Sequence, residues 1–211
     1  MKVARLAVFD LDGTLIDSVD DLHASVNHAL GALGLPSRSR EEIRAFVGEG
    51  ARVLLSRAVA PREELLEPAL AAWRAHYAEH CLDRTRPYPG IPALLDGAGR
   101  TLAVLTNKPG AMARKILDGL GLLSRFAAVV GGDEAPRKPD PAGLLGLMAR
   151  FGATAAETVL VGDSRHDVAT ARAAGVEVVA VTWGLASRAD LARAGATVFA
   201  ESAADLAPWV R

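Results

Sequence analysis

Short runs of apolar and often β-branched residues recur along the chain, and each run ends in polar residues or glycine. Six of these runs lie at residues 5–9, 101–106, 127–131, 158–162, 177–182 and 196–199. Four to six apolar residues in a row are typical of a strand that is covered on both faces. From residue 101 onward the runs alternate with stretches of helical periodicity at 111–120, 141–151, 167–174 and 187–194. This alternation predicts βαβ units and a parallel sheet with right-handed crossovers.

The pattern changes between the first run and the second. Residues 18–87 show no convincing strand and are rich in Ala, Leu, Glu and Arg, with apolar positions at helical spacing such as Leu22, Val26 and Leu30. We therefore expect an all-α helical bundle inserted after the first strand as a cap. The predicted fold is a doubly wound parallel sheet with a Rossmann-like core at 1–17 and 88–211, interrupted by a helical cap at 18–87.

Composition and charge exclude several classes of protein. The chain is 50% hydrophobic and 23% charged, with 24 basic against 25 acidic residues and a net charge of −1, which is typical of a globular domain without a nucleic-acid footprint. No apolar run approaches the roughly 18 residues of a membrane helix. Cys81 is the only cysteine, so neither an internal disulfide nor a cysteine-rich zinc site is expected. Asp10 and Asp12 interrupt the N-terminal apolar stretch too early for a signal peptide, so we expect a cytoplasmic protein. We also expect a monomer or a homodimer.

Acidic residues follow the first predicted strand directly. It runs into Asp10-Leu11-Asp12-Gly13-Thr14. Residues i and i+2 of extended backbone point to the same side, so both carboxylates can face one crevice, and Gly13 permits a sharp turn. Ligands of open parallel sheets bind beyond the carboxyl ends of the strands. The motif is compatible with a Mg²⁺ site and equally with a simple Asx-type turn.

A second acidic group follows the fourth predicted strand, which ends in Gly162-Asp163-Ser164. Asp163 there offers another oxygen ligand for the same cation. Asp167 begins the next predicted helix and is also compatible with a helix N-cap.

Two further groups have the chemistry of an anion site. Thr106 and Asn107 follow the second strand, just before a helix whose N-terminus could bind an anion or simply be capped. Lys138 follows the third strand and precedes Pro139, which stiffens its backbone. Its ammonium could neutralise a bound phosphate, or it could be a solvated surface lysine.

Taken in order, these motifs resemble the four motifs of the haloacid dehalogenase superfamily. They are Asp-x-Asp-Gly-Thr, Thr-Asn, Lys-Pro and Gly-Asp-Ser-x-x-Asp. The helical insertion resembles the α-helical cap of one subgroup. Within that subgroup the chain is most similar to phosphoglycolate phosphatases in the segments FDLDGTLIDS, VGEGAR, TNKP, KPDP, VGDSRHDVATARAAG and TWG.

The resemblance implies Mg²⁺-dependent hydrolysis of a small phosphorylated metabolite, with 2-phosphoglycolate as the leading substrate. Asp10 would be the nucleophile that forms an aspartyl-phosphate, and Asp12 the acid and then the base. Halide-releasing members of the superfamily lack this second aspartate, because a departing halide needs no proton. Asp12 therefore favours phosphate chemistry.

The resemblance also assigns the remaining residues. Mg²⁺ would be held by the Asp10 side chain, the Asp12 backbone carbonyl and Asp163. The phosphoryl oxygens would be bound by Thr106, Asn107 and Lys138, with support from Gly13, Ser164 and Asp167.

Arg52 of the cap is a candidate for the substrate carboxylate, and His166, where relatives usually have Asn, is given no role. A pyrophosphatase, a sugar-phosphate phosphatase or a phosphomutase would have the same core residues. A non-catalytic binding module on this fold is also an alternative, although it would need no acid beside a nucleophile.

Overall fold

A computed structural model describes residues 5–211 of the chain. The described chain divides into two compact units. One comprises residues 5–16 together with Pro87–Arg211, and the other comprises Asp17–Arg86. The division falls inside two short strands near residues 16 and 87, so the second unit is an insertion in the sequence of the first.

The first unit is built on a parallel sheet. The strands of the described residues are β1 (Leu6–Phe9), β2 (Ile16–Asp17), β3 (Arg86–Pro87), β4 (Thr101–Leu105), β5 (Ala128–Val130), β6 (Thr158–Gly162), β7 (Glu177–Val181) and β8 (Val198–Ala200). Six of them form one sheet in the order β5-β4-β1-β6-β7-β8. Every pairing in it is parallel, and β1 lies between β4 and β6 with Phe9 opposite Val104 and Val161.

Helices connect these strands. The α-helices of the described residues are α1 (Val19–Ala32), α2 (Arg40–Phe46), α3 (Ala51–Val59), α4 (Leu66–His80), α5 (Ile91–Asp96), α6 (Gly110–Gly119), α7 (Ala142–Phe151), α8 (Arg165–Ala174), α9 (Arg188–Ala194) and α10 (Ala207–Val210). Leu6 and Val8 of β1 pack in one buried cluster with Leu144 of α7. All four residues of β1 are buried, so the strand is covered on both faces. The predicted α/β fold with a parallel sheet is confirmed.

The inserted unit is helical, as its apolar spacing predicts. Leu22, Val26 and Leu30 of α1 are buried, and so are Trp73 and Tyr77 of α4, whose rings stack with centroids 5.0 Å apart. Burying side chains of this size supplies about 1.5–3 kcal/mol each. Packing of these apolar faces therefore stabilises the unit.

A buried carboxylate ties the two ends of the inserted unit together. Asp21 in the first turn of α1 accepts hydrogen bonds from the backbone N–H of Arg84 and from both the N–H and the hydroxyl of Thr85. These charge-assisted bonds offset the desolvation of Asp21.

Three local predictions are wrong by a few residues. Helix α8 begins at Arg165 with Ser164 as its N-cap, so Asp167 is not the cap but the third residue of the helix. Helix α7 begins at Ala142, one residue later than expected, and Asp140 accepts a hydrogen bond from the Ala142 N–H. Strand β3 lies at the end of the segment predicted to contain no strand. In the first two cases a side-chain oxygen accepts a hydrogen bond from a backbone N–H at the start of the helix. The pattern of apolar residues contains no information about such bonds, so it does not locate the first residue of the helix.

Within residues 5–211, no helix combines the length and apolar character that a membrane span requires.

Candidate active site

The first candidate residues lie immediately beyond the buried end of β1. Asp10 is 8% exposed, and its N–H donates to the Val161 carbonyl of neighbouring β6 over 2.9 Å. This bond continues the strand pairing up to the carboxylate, so the position of Asp10 is set by the sheet itself. Gly13 follows with φ +88°, a conformation that L side chains rarely adopt. A Cβ at Gly13 would also overlap the Asp163 carboxylate, so this turn requires glycine.

Lys138 reaches the same point from the loop before α7. Its Nζ lies 2.7 Å from Oδ1 of Asp10 and 2.6 Å from Oδ1 of Asp167. Its side chain is only 2% exposed, so it is a buried ammonium and not a solvated surface lysine. The two short charge-assisted hydrogen bonds fix its terminal nitrogen between Asp10, just beyond β1, and Asp167 in the first turn of α8.

Asn107 holds the backbone that carries this lysine. Its Nδ2 donates to the Lys138 carbonyl over 3.1 Å, and its Oδ1 accepts from the Lys138 N–H over 2.8 Å. The amide side chain therefore pairs with a peptide group in both directions. Asn107 thus positions Lys138, and its expected contact with the phosphoryl oxygens stays a prediction.

Asp163 is fully buried at the end of β6. Its Oδ1 accepts from the Thr14 hydroxyl over 3.0 Å, and its Oδ2 accepts from the Leu185 N–H over 2.6 Å. A Cβ at Gly184 would overlap Asp163, so the loop after β7 approaches this carboxylate as closely as backbone can. Thr14 ends the Asp-x-Asp-Gly-Thr motif but was given no role from the sequence, and Leu185 belongs to no charged or strand-end motif.

Asp167 is held from its own helix. Its Oδ2 accepts from the Ser164 N–H and hydroxyl, while the Ser164 hydroxyl accepts from the Asp167 N–H. This reciprocal pair is a capping box at the start of α8. With Oδ1 bonded to Lys138, both oxygens of Asp167 have protein partners.

Three carboxylates are thereby gathered in one buried place. Oxygens of Asp10, Asp163 and Asp167 lie within 4.8 Å of one another and could hold a metal ion. Such a cluster would repel itself strongly without positive charge. Lys138 supplies part of that charge, and the all-oxygen donor set fits a hard divalent cation.

The electrostatics of the cluster point the same way. Burial raises the pKa of Asp10 to about 7 against the opposing effect of Lys138. Burial, reinforced by the neighbouring charges of Asp10 and Asp167, raises the pKa of Asp163 to about 8. Burial lowers the pKa of Lys138, but the carboxylates of Asp10 and Asp167 outweigh this effect and raise it above the ordinary lysine value. Near neutral pH the metal-free cluster thus retains protons that a cation would displace.

Asp12 lies outside this cluster and pairs with another lysine. The Nζ of Lys108 lies 2.8 Å from Oδ1 and 2.9 Å from Oδ2 of Asp12. Lys108 has no role among the predicted site residues. The available signal was that Lys108 directly follows Thr106-Asn107, beyond the strand that neighbours β1. A lysine on a loop is usually solvated, so this position alone did not indicate a role in the site.

Two further candidates have other surroundings. Thr106 is buried at the end of β4, and its hydroxyl accepts from the Lys108 N–H over 3.2 Å. The first N–H of helix α6, at Gly110, donates to the Asp133 carboxylate, so this helix start is capped by a side chain.

Arg52 lies on α3 of the helical unit, 2.6 Å from Glu67 and largely exposed. It is not among the residues gathered at the sheet, and its substrate contact stays a prediction.

The chain is similar to known proteins over nearly its whole length. It is 40% identical to phosphoglycolate phosphatase 1 of Pseudomonas aeruginosa over 98% of this chain and 80% of the relative. It is likewise 40% identical to the phosphoglycolate phosphatase of Rhodospirillum rubrum, over 98% of this chain and 90% of that protein.

A solved structure shares the fold. The crystal structure of a protein from Haemophilus somnus, described as a predicted phosphoglycolate phosphatase, matches with a TM-score of 0.92 and 32% identity over 98% of this chain and 97% of that one. The family model for haloacid dehalogenase-like hydrolases matches residues 7–181. Those residues span β1 to β7 and include every residue of the carboxylate and lysine cluster, and the chain belongs to the haloacid dehalogenase-like hydrolase family.

Proposed function

We propose that this protein is a Mg²⁺-dependent phosphatase that hydrolyses 2-phosphoglycolate to glycolate and phosphate through an aspartyl-phosphate on Asp10. The observation that carries the proposal is the buried contact of Asp10 with Lys138 at the end of β1. A nucleophilic carboxylate must meet a highly charged phosphoryl group, and a fixed ammonium beside it lowers that repulsion. The substrate follows from the relatives named phosphoglycolate phosphatase at 40% identity.

In the first step Asp10 attacks phosphorus in line with the leaving oxygen. A bond forms between a carboxylate oxygen of Asp10 and phosphorus, while the bond from phosphorus to the glycolate oxygen breaks. The proton that this oxygen needs comes from the Asp12 carboxyl group. Asp12 follows Asp10 by two residues, so both carboxylates can face the crevice in which the phosphoryl group would bind.

In the second step water attacks the phosphorus of the aspartyl-phosphate. Asp12, now a carboxylate, accepts a proton from that water, and the bond between phosphorus and Asp10 breaks. Inorganic phosphate leaves, and both aspartates return to their starting states. One group serves as acid and then as base, so no other proton carrier is required.

Asp10, Asp163 and the backbone carbonyl of Asp12 would hold Mg²⁺, which supplies charge neutralisation for the phosphoryl oxygens when bound. The pKa values of Asp10 and Asp163 are both raised, and a bound cation would lower them again because it favours the ionised carboxylates. Asp167 supports this group indirectly, since its two oxygens are engaged by Lys138 and Ser164.

Lys138 and Thr106 are proposed to bind the phosphoryl oxygens. The Lys138 ammonium lies at hydrogen-bonding distance from the Asp10 carboxylate. The Thr106 hydroxyl lies just beyond the end of β4, the strand beside β1. Asn107 contributes by holding the Lys138 backbone.

The test is hydrolysis of a panel of phosphate compounds by the purified full chain. The panel contains 2-phosphoglycolate, ethyl phosphate, pyrophosphate and hexose phosphates, each with Mg²⁺ and with a chelator. We expect 2-phosphoglycolate to give the highest kcat/KM and the chelator to abolish turnover. A higher kcat/KM for pyrophosphate or a hexose phosphate would refute the substrate assignment.

The nucleophile is tested separately. Asp10→Asn should abolish turnover while the protein stays folded by circular dichroism. Asp118→Asn, a change at an exposed aspartate of α6, is the matched control and should keep full activity. Acid quenching with ³²P-labelled substrate should trap label on the control and none on Asp10→Asn. Substantial hydrolysis by Asp10→Asn would show that another group is the nucleophile.

A further inference from the structure

Lys108 and Asp12 form an ion pair, and Lys108 has no role in the two reaction steps proposed above. The ammonium contacts both oxygens of the Asp12 carboxylate, at 2.8 Å and 2.9 Å. The Lys108 side chain is 6% exposed and that of Asp12 is 13% exposed. A pair so far removed from water is screened much less than a surface salt bridge and is held more firmly.

The backbone around Lys108 is fixed, so its ammonium starts from a defined point. The Lys108 N–H donates to the Thr106 hydroxyl over 3.2 Å, and its carbonyl accepts from the Gly132 N–H over 3.0 Å. A Cβ at Gly132 would lie only 2.6 Å from the Asn107 carbonyl oxygen, so the loop after β5 packs directly on this turn. Lys108 thus belongs to a turn that is hydrogen-bonded through its backbone and packed against the loop after β5.

The sheet brings this turn to Asp12. Strands β1 and β4 are neighbours in parallel register, with Phe9 opposite Val104. Asp12 lies three residues after the end of β1, and Lys108 lies three residues after the end of β4. The two residues follow the same ends of adjacent strands, although 96 positions separate them in the sequence.

Lys108 binds both oxygens of the Asp12 carboxylate, as other side chains hold the remaining aspartates of the site. Asp10, Asp163 and Asp167 are held by Lys138, Thr14 or Ser164. A carboxylate that exchanges protons with two different oxygens in turn must be held at a defined distance from both, because misplacement by 1 Å can cost about 100-fold in rate.

We propose that Lys108 is the positioning residue of the Asp12 carboxylate, holding it where it gives its proton to the leaving oxygen and later accepts one from water. This inference rests on the proposed function and adds a residue to it. Lys108 itself transfers no proton and forms no bond to phosphorus. Its contribution depends on the leaving group, since only a poor leaving group needs a proton from Asp12.

The experiment compares kcat/KM for three substrates in wild type, Lys108→Met and Lys108→Gln. Ethyl phosphate and 2-phosphoglycolate have alkoxide leaving groups that need a proton, whereas p-nitrophenyl phosphate has a leaving group that does not. The constant kcat/KM covers events up to the departure of the leaving group, so the later step with water does not obscure the comparison. Lys115→Met, at an exposed lysine of α6, is the matched control.

We expect both Lys108 variants to lose about 10- to 100-fold in kcat/KM for the two alkyl phosphates and less than about 3-fold for p-nitrophenyl phosphate. In the Asp12→Asn background, adding Lys108→Met should lower kcat/KM for ethyl phosphate by no more than about 3-fold relative to Asp12→Asn alone. The reason is that the carboxylate that Lys108 positions is already gone. Lys108→Arg, which keeps the cation, should recover part of the loss. Circular dichroism and the urea midpoint of each variant confirm that it is folded.

Several outcomes would overturn the inference. An equal loss for all three substrates indicates a general structural role, and a loss restricted to 2-phosphoglycolate indicates that Lys108 binds the substrate carboxylate instead. Full additivity of the two substitutions also contradicts it. If wild type hydrolyses ethyl and p-nitrophenyl phosphate but not 2-phosphoglycolate, the substrate proposal fails while the comparison of leaving groups still decides the role of Lys108. A wild type that hydrolyses none of them refutes both.

Discussion

Replacing Asp163 by Asn should change how the stability of the metal-free protein depends on pH. The carboxyl group of Asp163 has a pKa of about 8 in the folded chain, against an ordinary value of 3.8. Between these values the folded state keeps a proton that the unfolded chain has released. A raised carboxyl pKa favours folding fully below pH 3.8, and this contribution is lost as the pH rises through 8. Wild type should therefore lose stability from pH 5 to pH 8, and Asp163→Asn should lose much less.

The magnitude follows from the same values. Each pH unit over which the folded state holds one extra proton changes the free energy of unfolding by about 1.4 kcal/mol. Three units, from pH 5 to pH 8, set an upper limit of about 4 kcal/mol for Asp163. Asp10 titrates in the same cluster, so the protons belong to the pair, and we expect a difference of about 2 to 4 kcal/mol between wild type and variant.

The amide itself has a small cost that does not depend on pH. Its oxygen can accept from the Leu185 N–H as Oδ2 of Asp163 does, and its NH₂ group can donate to the Thr14 hydroxyl, which accepts as well as donates. A misplaced donor there would cost about 1 to 3 kcal/mol at every pH. The change between pH 5 and pH 8 is therefore the quantity to compare, and not the stability at one pH.

The assay is urea unfolding followed by circular dichroism at pH 5, 6, 7 and 8 with a chelator present. Asp118→Asn is the control, and it should follow wild type because this aspartate is exposed. Adding Mg²⁺ at pH 8 should restore the stability of wild type and leave Asp163→Asn unchanged, since ligand binding to the folded state alone stabilises it. Parallel pH curves for wild type and Asp163→Asn would refute the reasoning.

Two other substitutions probe the supports of the site. Asn107→Ala removes both hydrogen bonds to the Lys138 backbone, so we expect kcat/KM for 2-phosphoglycolate to fall about 10- to 100-fold; unchanged steady-state kinetics would argue against the positioning role. Gly13→Ala places a Cβ against Asp163 at φ +88°, so urea unfolding should show a loss of about 2 to 4 kcal/mol. A loss below about 0.5 kcal/mol would mean that the turn relaxes.

The strand ends could be predicted from the sequence because they follow from local patterning. Buried parallel strands are continuous apolar runs, and the first polar residue after each run marks the sheet edge where ligands bind. Asp10, Asp163 and Thr106 were found in this way. The predicted start of α8 at Asp167 was wrong because a capping box between Ser164 and Asp167 lengthens the helix by two residues, and the apolar pattern does not contain that information.

The pairing of side chains could not be predicted in the same way. Lys138 and Lys108 are both lysines that follow a strand, and both become buried ammonium groups. One bonds Asp10 and Asp167, while the other bonds Asp12. Which carboxylate each lysine reaches depends on strand order, loop packing and side-chain direction, and none of these is a property of a short segment.

The sequence separations within the site explain why it exists only in the folded chain. Thr14 and Asp163 are 149 positions apart and Asp12 and Lys108 are 96 apart, yet each pair is hydrogen-bonded. The strand that carries Asp10 and Asp12 precedes the helical insertion, and the strands that lead to the lysines and Asp163 follow it. Central placement of β1 between β4 and β6 therefore determines both halves of the site, since β4 leads to Lys108 beside Asp12 and β6 ends beside Asp10. A substitution that shifts β1 by one register position would separate both aspartates from their partners at once, so the packing of this buried strand is itself a requirement for the chemistry.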